Sequence, residues 1–171
     1  MTERFGLEPL RWRSRWREAL DACVRLGGEA RSLRIGSAAS EPDIAHAERE
    51  VGVALPPAFR RVLVEFSAEV SFSWFLPEDH DLPGPFHGIF GGGCSWSLAR
   101  LPAIQKSVIG WVSEIFPNQN STYDRVWHDK LGFHEVGNGD FLALDLAPES
   151  AGAVVYLSHD SGAGQPPPPA E

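Results

Sequence analysis

The sequence has only two cysteines and no long apolar run. Cys23 and Cys94 are too few and too far apart for a disulfide framework, and we predict both to be small core residues and not reactive thiols. No apolar run approaches the ~20 residues that a membrane helix requires, so we expect no contact with a membrane. The segment MTERFGLEPLRWRSRW lacks the apolar stretch of a secretory signal, and Glu3 and Glu8 interrupt a transit-peptide pattern. We therefore expect a cytoplasmic protein.

Basic residues are scarce after residue 34. Residues 1–34 hold eight arginines and five acidic residues, a net charge of +3. Residues 35–171 hold seven basic and eighteen acidic residues, which gives −11 and accounts for the formal net charge of −8. An acidic body repels phosphate backbones and attracts basic surfaces. The charge therefore disfavours nucleic-acid binding and is compatible with a basic protein partner, although a surface that is merely soluble gives the same counts.

The first forty residues predict one helix and a connecting segment. At 171 residues the chain can bury a substantial core, and we expect a single domain over residues 1–162. Residues 7–26 have the apolar spacing of an amphipathic helix, which Gly27-Gly28 ends. Residues 28–39 are polar and rich in small residues, and we expect a connection there. The stripe that we expect to face the core consists of Trp12, Trp16, Ala19, Leu20, Cys23 and Val24.

Two further helices are predicted between residues 40 and 66. Ser40 is followed three residues later by Asp43, a capping-box variant that begins a helix, and Gly52 ends that helix. Pro56-Pro57 can open a helix but cannot lie inside one. The residues that then share one helical face are Phe59, Val62, Leu63 and Phe66.

After residue 70 the alternation of apolar and small polar residues predicts strands. A connecting helix is predicted from Leu98 to Ile115, and Asn138-Gly139 favours a two-residue type I′ turn. Helices come first and mostly antiparallel strands follow, which indicates an α+β fold with N-terminal helices packed on a mostly antiparallel, twisted β-sheet. Residues 163–171 predict a disordered or polyproline tail. The strand segments are VSFSWF, GIFGGGCSWSL, RVWHD, FHEV, DFLALDL and AVVYLSHD.

Signatures of common enzyme classes are incomplete in this chain. Gly137 and Gly139 supply two glycines of a dinucleotide fingerprint, but Leu142 holds the third position and a strand follows. The segment HAE matches half of the zinc deaminase signature, whose cysteine pair is missing. The segment GCSWS lacks the second glycine of a nucleophile elbow. We therefore expect a protein without a cofactor, a metal or catalytic residues.

Acidic residues and histidines concentrate in the last strands. If these strands pair, the side chains can meet at one sheet edge, where they could hold a metal or act as acid and base. The alternative is that they cap strand ends and keep that edge soluble. The residues are His134, Asp140, Asp145, His159 and Asp160.

Two segments resemble the SUKH superfamily, the Smi/Knr-type domain. The family's acidic helix, Leu-Pro step and aromatic-led helix are similar to the segment DIAHAEREVGVALPPAFRRVLVEF. Its Gly-Asp, Leu-Asp and His-Asp motifs are similar to GNGDFLALDL and GAVVYLSHD. The resemblance covers residues 41–160. Ser67-Ala68-Glu69 departs from the family's Asn-Gly-Gly-like turn, and a proline-rich tail replaces its C-terminal helix. The motif residues here are Glu48, Leu55, Pro56, Gly139, Asp140, Asp145 and His159.

The resemblance implies an α+β domain that binds other proteins and needs no cofactor. Many bacterial members are immunity proteins that neutralise a cognate toxin, often a nuclease, and fungal relatives are regulatory interaction modules. We expect an immunity protein for a basic toxin. The alternatives are a regulatory scaffold that uses its proline-rich tail as a ligand and a metal-dependent hydrolase.

The predicted contacts with the partner lie in the aromatic and acidic loop FLPEDHDLPGPF and among the motif acids. Acidic side chains would attract a basic partner, and aromatic side chains would anchor it. A flexible, solvated loop is the alternative interpretation of the same residues. The contact residues that we predict are Phe75, Glu78, Asp79, Asp81, Phe86, Asp140, Asp145 and Asp160.

Overall fold

The computed structural model describes residues 8–80, 82–136 and 138–159, with the backbone alone for residues 8–10. Short 3₁₀ helices lie at Gly84–Phe86, Leu98–Arg100 and Asp124–Trp127. The longer elements, in chain order, are α1 (Glu8–Arg25), β1 (Glu29–Ile35), α2 (Glu41–Val51), α3 (Pro57–Glu65), β2 (Glu69–Phe75), β3 (Gly91–Ser97), α4 (Leu101–Glu114), β4 (Lys130–Glu135), β5 (Phe141–Asp145) and β6 (Val154–Leu157).

The residues divide between two units, each with its own three-stranded antiparallel sheet. Unit 1 is Met1–Ser37 with Glu69–Ser95, and its strand order is β1-β2-β3. Unit 2 is Ala38–Ala68 with Trp96–Glu171, and its strand order is β4-β5-β6. The predicted α+β class, with antiparallel strands and a connecting helix, is confirmed. The strands form two sheets where the sequence suggested one.

Unit 1 is built by α1 packing on its sheet. The ring of Trp16 lies 5.3 Å from that of Phe72 on β2, and Leu20 and Cys23 are buried. The predicted helix over residues 7–26 is therefore matched closely by α1. Its apolar stripe is narrower than predicted, because Ala19 and Val24 are exposed.

The predicted connection over residues 28–39 was wrong, because most of it is strand β1. Its partners on β2 run from Glu29 opposite Phe75 to Ile35 opposite Val70, with an irregularity between Arg31 and Arg34. An edge strand forms hydrogen bonds to a neighbour on one side only and can keep polar side chains in solvent. The sequence of β1 therefore lacks the apolar alternation that reveals a half-buried strand.

Unit 2 begins with the two helices that local sequence signals predict. Ser40 caps α2, with its hydroxyl accepting from the Asp43 backbone N–H and the Asp43 carboxylate accepting from the Ser40 N–H. Gly52 ends α2 in the left-handed conformation at φ 76°. Pro57 then opens α3, whose Phe59 and Leu63 are buried. The segment RVWHD, predicted as a strand, instead contains a 3₁₀ helix that buries Trp127.

Helix α4 packs on the sheet of unit 2 and forms its main core. Phe141 and Ala143 on β5 belong to this core, and Leu144, on the other face of the strand, is buried as well. Gly132 on β4 allows the close approach, because a Cβ there would lie 2.7 Å from Val108 Cγ2. The buried members of this cluster are Ile104, Val108, Phe116, Trp127, Phe141, Ala143 and Leu157.

Replacing Gly132 by alanine is expected to lower the free energy of unfolding by about 1–3 kcal/mol, because the new methyl group overlaps Val108 and Ile104. Gly110→Ala is the matched control, since nothing lies within 4 Å of a Cβ at that position of α4. It should raise stability by about 0.5–1 kcal/mol through helix propensity. Urea unfolding of both variants measures the two effects, and equal effects would contradict this packing.

Candidate protein-binding site

The loop between β4 and β5 carries the family-like Asn-Gly-Asp motif. Glu135 pairs with Phe141, and the Gly139 N–H donates to the Val136 carbonyl oxygen at 3.0 Å. Within the described part of this loop, only Gly139 has a positive φ, 94°. The predicted type I′ turn, which needs positive φ at two residues, is therefore wrong. The Asn138 amide oxygen instead accepts from the Asp140 backbone N–H at 3.1 Å, a local bond typical of asparagine in turns.

Asp140 is a buried carboxylate that accepts hydrogen bonds from three residues. The Asn138 amide donates at 2.7 Å and the His159 backbone N–H at 2.9 Å. The Tyr156 hydroxyl donates to the same carboxylate. The His159 Nδ1 atom lies 2.6 Å from Asp140 Oδ1, and the centre of the His159 ring lies 5.7 Å from that of Trp111 in a tilted arrangement. These contacts fasten the residues that follow β6 to the loop that precedes β5.

The hydrogen bonds change the acidity of this group. Burial alone would raise the pKa of Asp140, but the bonds from Tyr156, His159 and Asn138 outweigh it and lower the pKa to about 2. The group is therefore a carboxylate anion over the whole physiological range. An anion this well satisfied is a poor general acid or base at neutral pH.

Asp145 lies at the other end of β5 and forms a second buried set of contacts. Lys130 Nζ donates to its carboxylate at 3.1 Å, and the two side chains are 9% and 15% exposed. The Ala147 N–H and the Ser150 hydroxyl donate at 3.1 Å and 2.9 Å. Burial would raise the pKa of Asp145, but these three hydrogen bonds lower it overall. The carboxylate thus orders the loop between β5 and β6.

The acids and histidines of the last strands do not meet in one cluster. Asp140 and His159 are in contact, whereas Asp145 is bonded to Lys130 at the far end of β5. His134 lies on β4 opposite Leu142. Its pKa is lowered mainly by burial and, to a smaller extent, by the positive charge of Arg100. Asp160 is outside the described residues. Among the residues that the structure describes, no group of three or more His, Cys, Asp or Glu could hold a metal ion.

The loop between β2 and β3, residues 76–90, has the surface character that the sequence suggests. Phe75 at its start and Phe86 within it are 49% and 57% exposed, and Glu78 and Asp79 are exposed. The Leu76 N–H donates to the Phe90 carbonyl oxygen at 2.7 Å and closes the loop at its base. Asp81 lies outside the described residues. The loop therefore presents aromatic rings beside carboxylates.

Several residues of these sites were not predicted from the sequence. Ile89 and Phe90 are exposed at the end of the same loop, and Tyr156 and Lys130 hold the two motif acids. The continuation of the apolar run past Phe86 into GIF could have indicated the first two. The partners of Asp140 and Asp145 lie on other strands, and no local spacing reveals them.

The remaining motif residues have structural contacts in unit 2. The Glu48 carboxylate accepts from the Leu55 backbone N–H at 2.9 Å and fixes the turn between α2 and α3. Leu55 is buried, and Pro56 precedes the first residue of α3. Gly139 supplies the positive φ of the β4–β5 loop. These contacts give the motif a role in positioning backbone.

The described helices include none with the length and apolar character needed to cross a membrane. No curated protein matches the chain. A family model described as the SMI1 / KNR4 family (SUKH-1) matches residues 38–166, well over half of the sequence. The match contains both motif segments and the β2–β3 loop, and it begins after α1 and β1. The family match supports a protein-interaction domain of the immunity or regulator type. The chain belongs to the SMI1 / KNR4 (SUKH-1) family.

Proposed function

We propose that this chain is a non-catalytic immunity protein of the cytoplasm that binds and neutralises a basic toxin domain, such as a nuclease. The observation that carries the proposal is the composition and exposure of the β2–β3 loop. Residues 76–90 contain three acidic residues and no lysine or arginine. Phe75 and Phe86 expose about half of their surface beside Glu78 and Asp79.

The two kinds of side chain would have different effects on binding. Carboxylates on an acidic protein attract a cationic partner over a Debye length and raise the association rate. Aromatic rings that become buried at the interface slow dissociation, because they remove apolar area from water. Phe75, Glu78, Asp79 and Phe86 are the proposed contacts, and Asp81 belongs to the same loop by sequence.

Asp140 and Asp145 were predicted as partner contacts, but their geometry supports another role. Both carboxylates are covered by protein atoms and accept hydrogen bonds from their own unit. Carboxylate oxygens that are buried and already accept hydrogen bonds in this way have little capacity left to bind donors on a partner. The proposed surface therefore consists of the β2–β3 loop without these two acids. Asp160, outside the described residues, stays a proposed contact by sequence alone.

The test is binding to, and inhibition of, a toxin encoded beside this chain. The double variant Glu78→Lys/Asp79→Lys should lower the association rate about 10-fold at low salt, and less at high salt, because the attraction becomes repulsion. Glu114→Lys/Glu149→Lys changes the net charge equally on exposed residues of unit 2 and is the matched control. Stopped-flow association kinetics measure both. Failure of every neighbouring toxin to bind the chain would contradict the proposal, and equal effects of the two variants would contradict the assigned surface.

A regulatory scaffold is the second candidate, favoured by the four consecutive prolines in the tail, Pro166 to Pro169. The tail lies outside the described residues, and consecutive prolines in general favour the polyproline conformation that SH3 and WW domains bind. Deleting residues 163–171 separates the candidates. A scaffold would lose its partner, whereas the immunity protein should inhibit its toxin as well as the full chain does.

A further inference from the structure

The end of α1 and the β2–β3 loop of unit 1 expose large apolar side chains, and two of these lie on or just after the helix. Val24 is 56% exposed and Leu26 is 45% exposed, at and just beyond the end of α1. Val24 has the spacing of the apolar stripe of α1 and was predicted to face the core, but in the structure its side chain is exposed to solvent. The other exposed apolar residues at this end are Phe75, Phe86, Ile89 and Phe90.

Contacts within unit 1 fix the end of α1 against the base of the loop. The Cys23 thiol donates to the Phe75 carbonyl oxygen at 3.3 Å. Gly28 approaches the same strand so closely that a Cβ there would lie 2.4 Å from the Phe75 oxygen. A Cβ on Gly27 would lie 3.7 Å from Pro77 Cγ. Val24 and Leu26 lie next in sequence to the residues of this junction, and so at the end of α1 that meets the base of the loop.

The charges at this end of unit 1 decide what kind of molecule can cover it. Four acidic residues are exposed here, Glu78 and Asp79 on the loop and Asp21 and Glu29 beside the junction, against two exposed basic residues, Arg25 and Arg31. A second copy of the chain would bring these acids against the same acids, which costs free energy. A partner with lysine or arginine around an apolar pocket would be attracted. Charge complementarity therefore selects a cationic protein and disfavours self-association.

We infer that Val24 and Leu26 join Phe86, Ile89 and Phe90 in one composite docking surface, which receives an apolar pocket bordered by cationic side chains on the partner protein. The inference rests on the proposed function and extends it to α1, which precedes the residues matched by the family model. A loop alone can change its conformation on binding, whereas a helix end held by Cys23 and Gly28 is preorganised. The helix would then give the surface part of its specificity.

The experiment uses the full chain and the purified toxin domain encoded beside it as the probe. The variant Val24→Ser/Leu26→Ser should raise the Kd at least about 10-fold, mainly through faster dissociation, since anchors act on the dissociation rate. Ile109→Ser/Ile115→Ser is the matched control, because these residues of unit 2 are equally exposed, and it should change the Kd less than about twofold. Urea unfolding verifies that both variants are folded. Hydrogen exchange on the wild-type complex should show slower exchange in residues 22–27 as well as 84–90.

The outcomes separate the two claims. If Phe86→Ser/Phe90→Ser weakens binding but Val24→Ser/Leu26→Ser does not, the composite surface is overturned and the proposed function stands. If the toxin binds the chain and neither pair matters, the surface is overturned in the same way. If the wild-type chain binds no toxin encoded beside it, both claims fail. A chain that sediments as a dimer through this end, and whose dimer is lost in the Val24→Ser/Leu26→Ser variant, would replace the toxin by a second copy and overturn the inference.

Discussion

Replacing Asp140 by alanine is expected to lower the free energy of unfolding by about 3 kcal/mol or more. The substitution removes the acceptor for the Tyr156 hydroxyl, the His159 backbone N–H and the Asn138 amide. Their donors are partly buried, so each lost partner costs more than a hydrogen bond at the surface would. Urea unfolding at pH 7 measures the loss. A change below about 1 kcal/mol would contradict the role of this carboxylate in fastening β6 to the β4–β5 loop.

Two controls separate the carboxylate from its neighbours. Tyr156→Phe removes one donor and leaves the others in place, so its expected cost is about 1.5–3 kcal/mol, the range for a hydrogen bond to a charged group. Glu149→Gln removes an exposed acid from the same sheet region and should change stability by less than about 0.5 kcal/mol.

The pH dependence of stability follows from the same carboxylate. Its pKa is lowered to about 2 in the folded chain, so its contribution is fully present above the unfolded pKa of about 4. That contribution, about 2 kcal/mol, is lost as the pH falls from about 4 through about 2. The Asp140→Asn variant has no carboxylate at this position and so lacks this pH-dependent contribution. The stability difference between the wild type and Asp140→Asn should therefore narrow between pH 6 and pH 2.5, and a constant difference would contradict the assigned pKa.

Replacing Asp145 by alanine is expected to cost about 3–5 kcal/mol, because it leaves the Lys130 ammonium buried without its counter-charge. The Lys130 side chain is only 9% exposed. The Ala147 N–H and the Ser150 hydroxyl lose their acceptor in the same variant. Thermal and urea unfolding measure the effect. If the variant is as stable as the wild type, the ion pair does not hold the loop between β5 and β6.

A double substitution tests whether the buried charge is the cause. In Lys130→Met/Asp145→Ala no unpaired charge remains, so the double variant should be more stable than Asp145→Ala alone. Recovery should be partial, since the hydrogen bonds to Ala147 and Ser150 stay lost. A double variant less stable than the single one would mean that Lys130 contributes through its other bond, to the His128 carbonyl oxygen at 2.8 Å.

The Gly-Asp, Leu-Asp and His-Asp motifs have a physical explanation in these contacts. Gly139 gives the loop its positive φ, and Asp140 fastens His159 to that loop. Asp145 binds Lys130 and orders the next loop. Asp140 and Asp145 therefore order the chain at the two ends of β5 in unit 2. The proposed contacts with a partner lie elsewhere, in the aromatic and acidic β2–β3 loop of unit 1.

Features that depend on neighbours close along the chain could be predicted from the sequence. The Ser40–Asp43 capping box spans three residues, and Gly52 and Pro57 bound their helices through their own backbone preferences. The alternation in DFLALDL put Phe141 and Ala143 on the same face of a strand, and the packing of α4 makes that face part of the core. The family could also be identified from the sequence, because its motifs are short local segments that occur in a fixed order along the chain.

Features that depend on residues far apart in the chain could be read from the folded structure and not from the sequence. Asp140 meets Tyr156 and His159 at separations of 16 and 19 residues, and no local pattern records which donors arrive there. Strand β1 exists because β2 supplies its hydrogen bonds, not because its own sequence alternates. Val24 has an apolar side chain that suits a core position, but it is exposed because of the way in which α1 packs on its sheet. Exposure and pairing are properties of the folded chain, because the elements that bury or pair a residue come from elsewhere in the sequence.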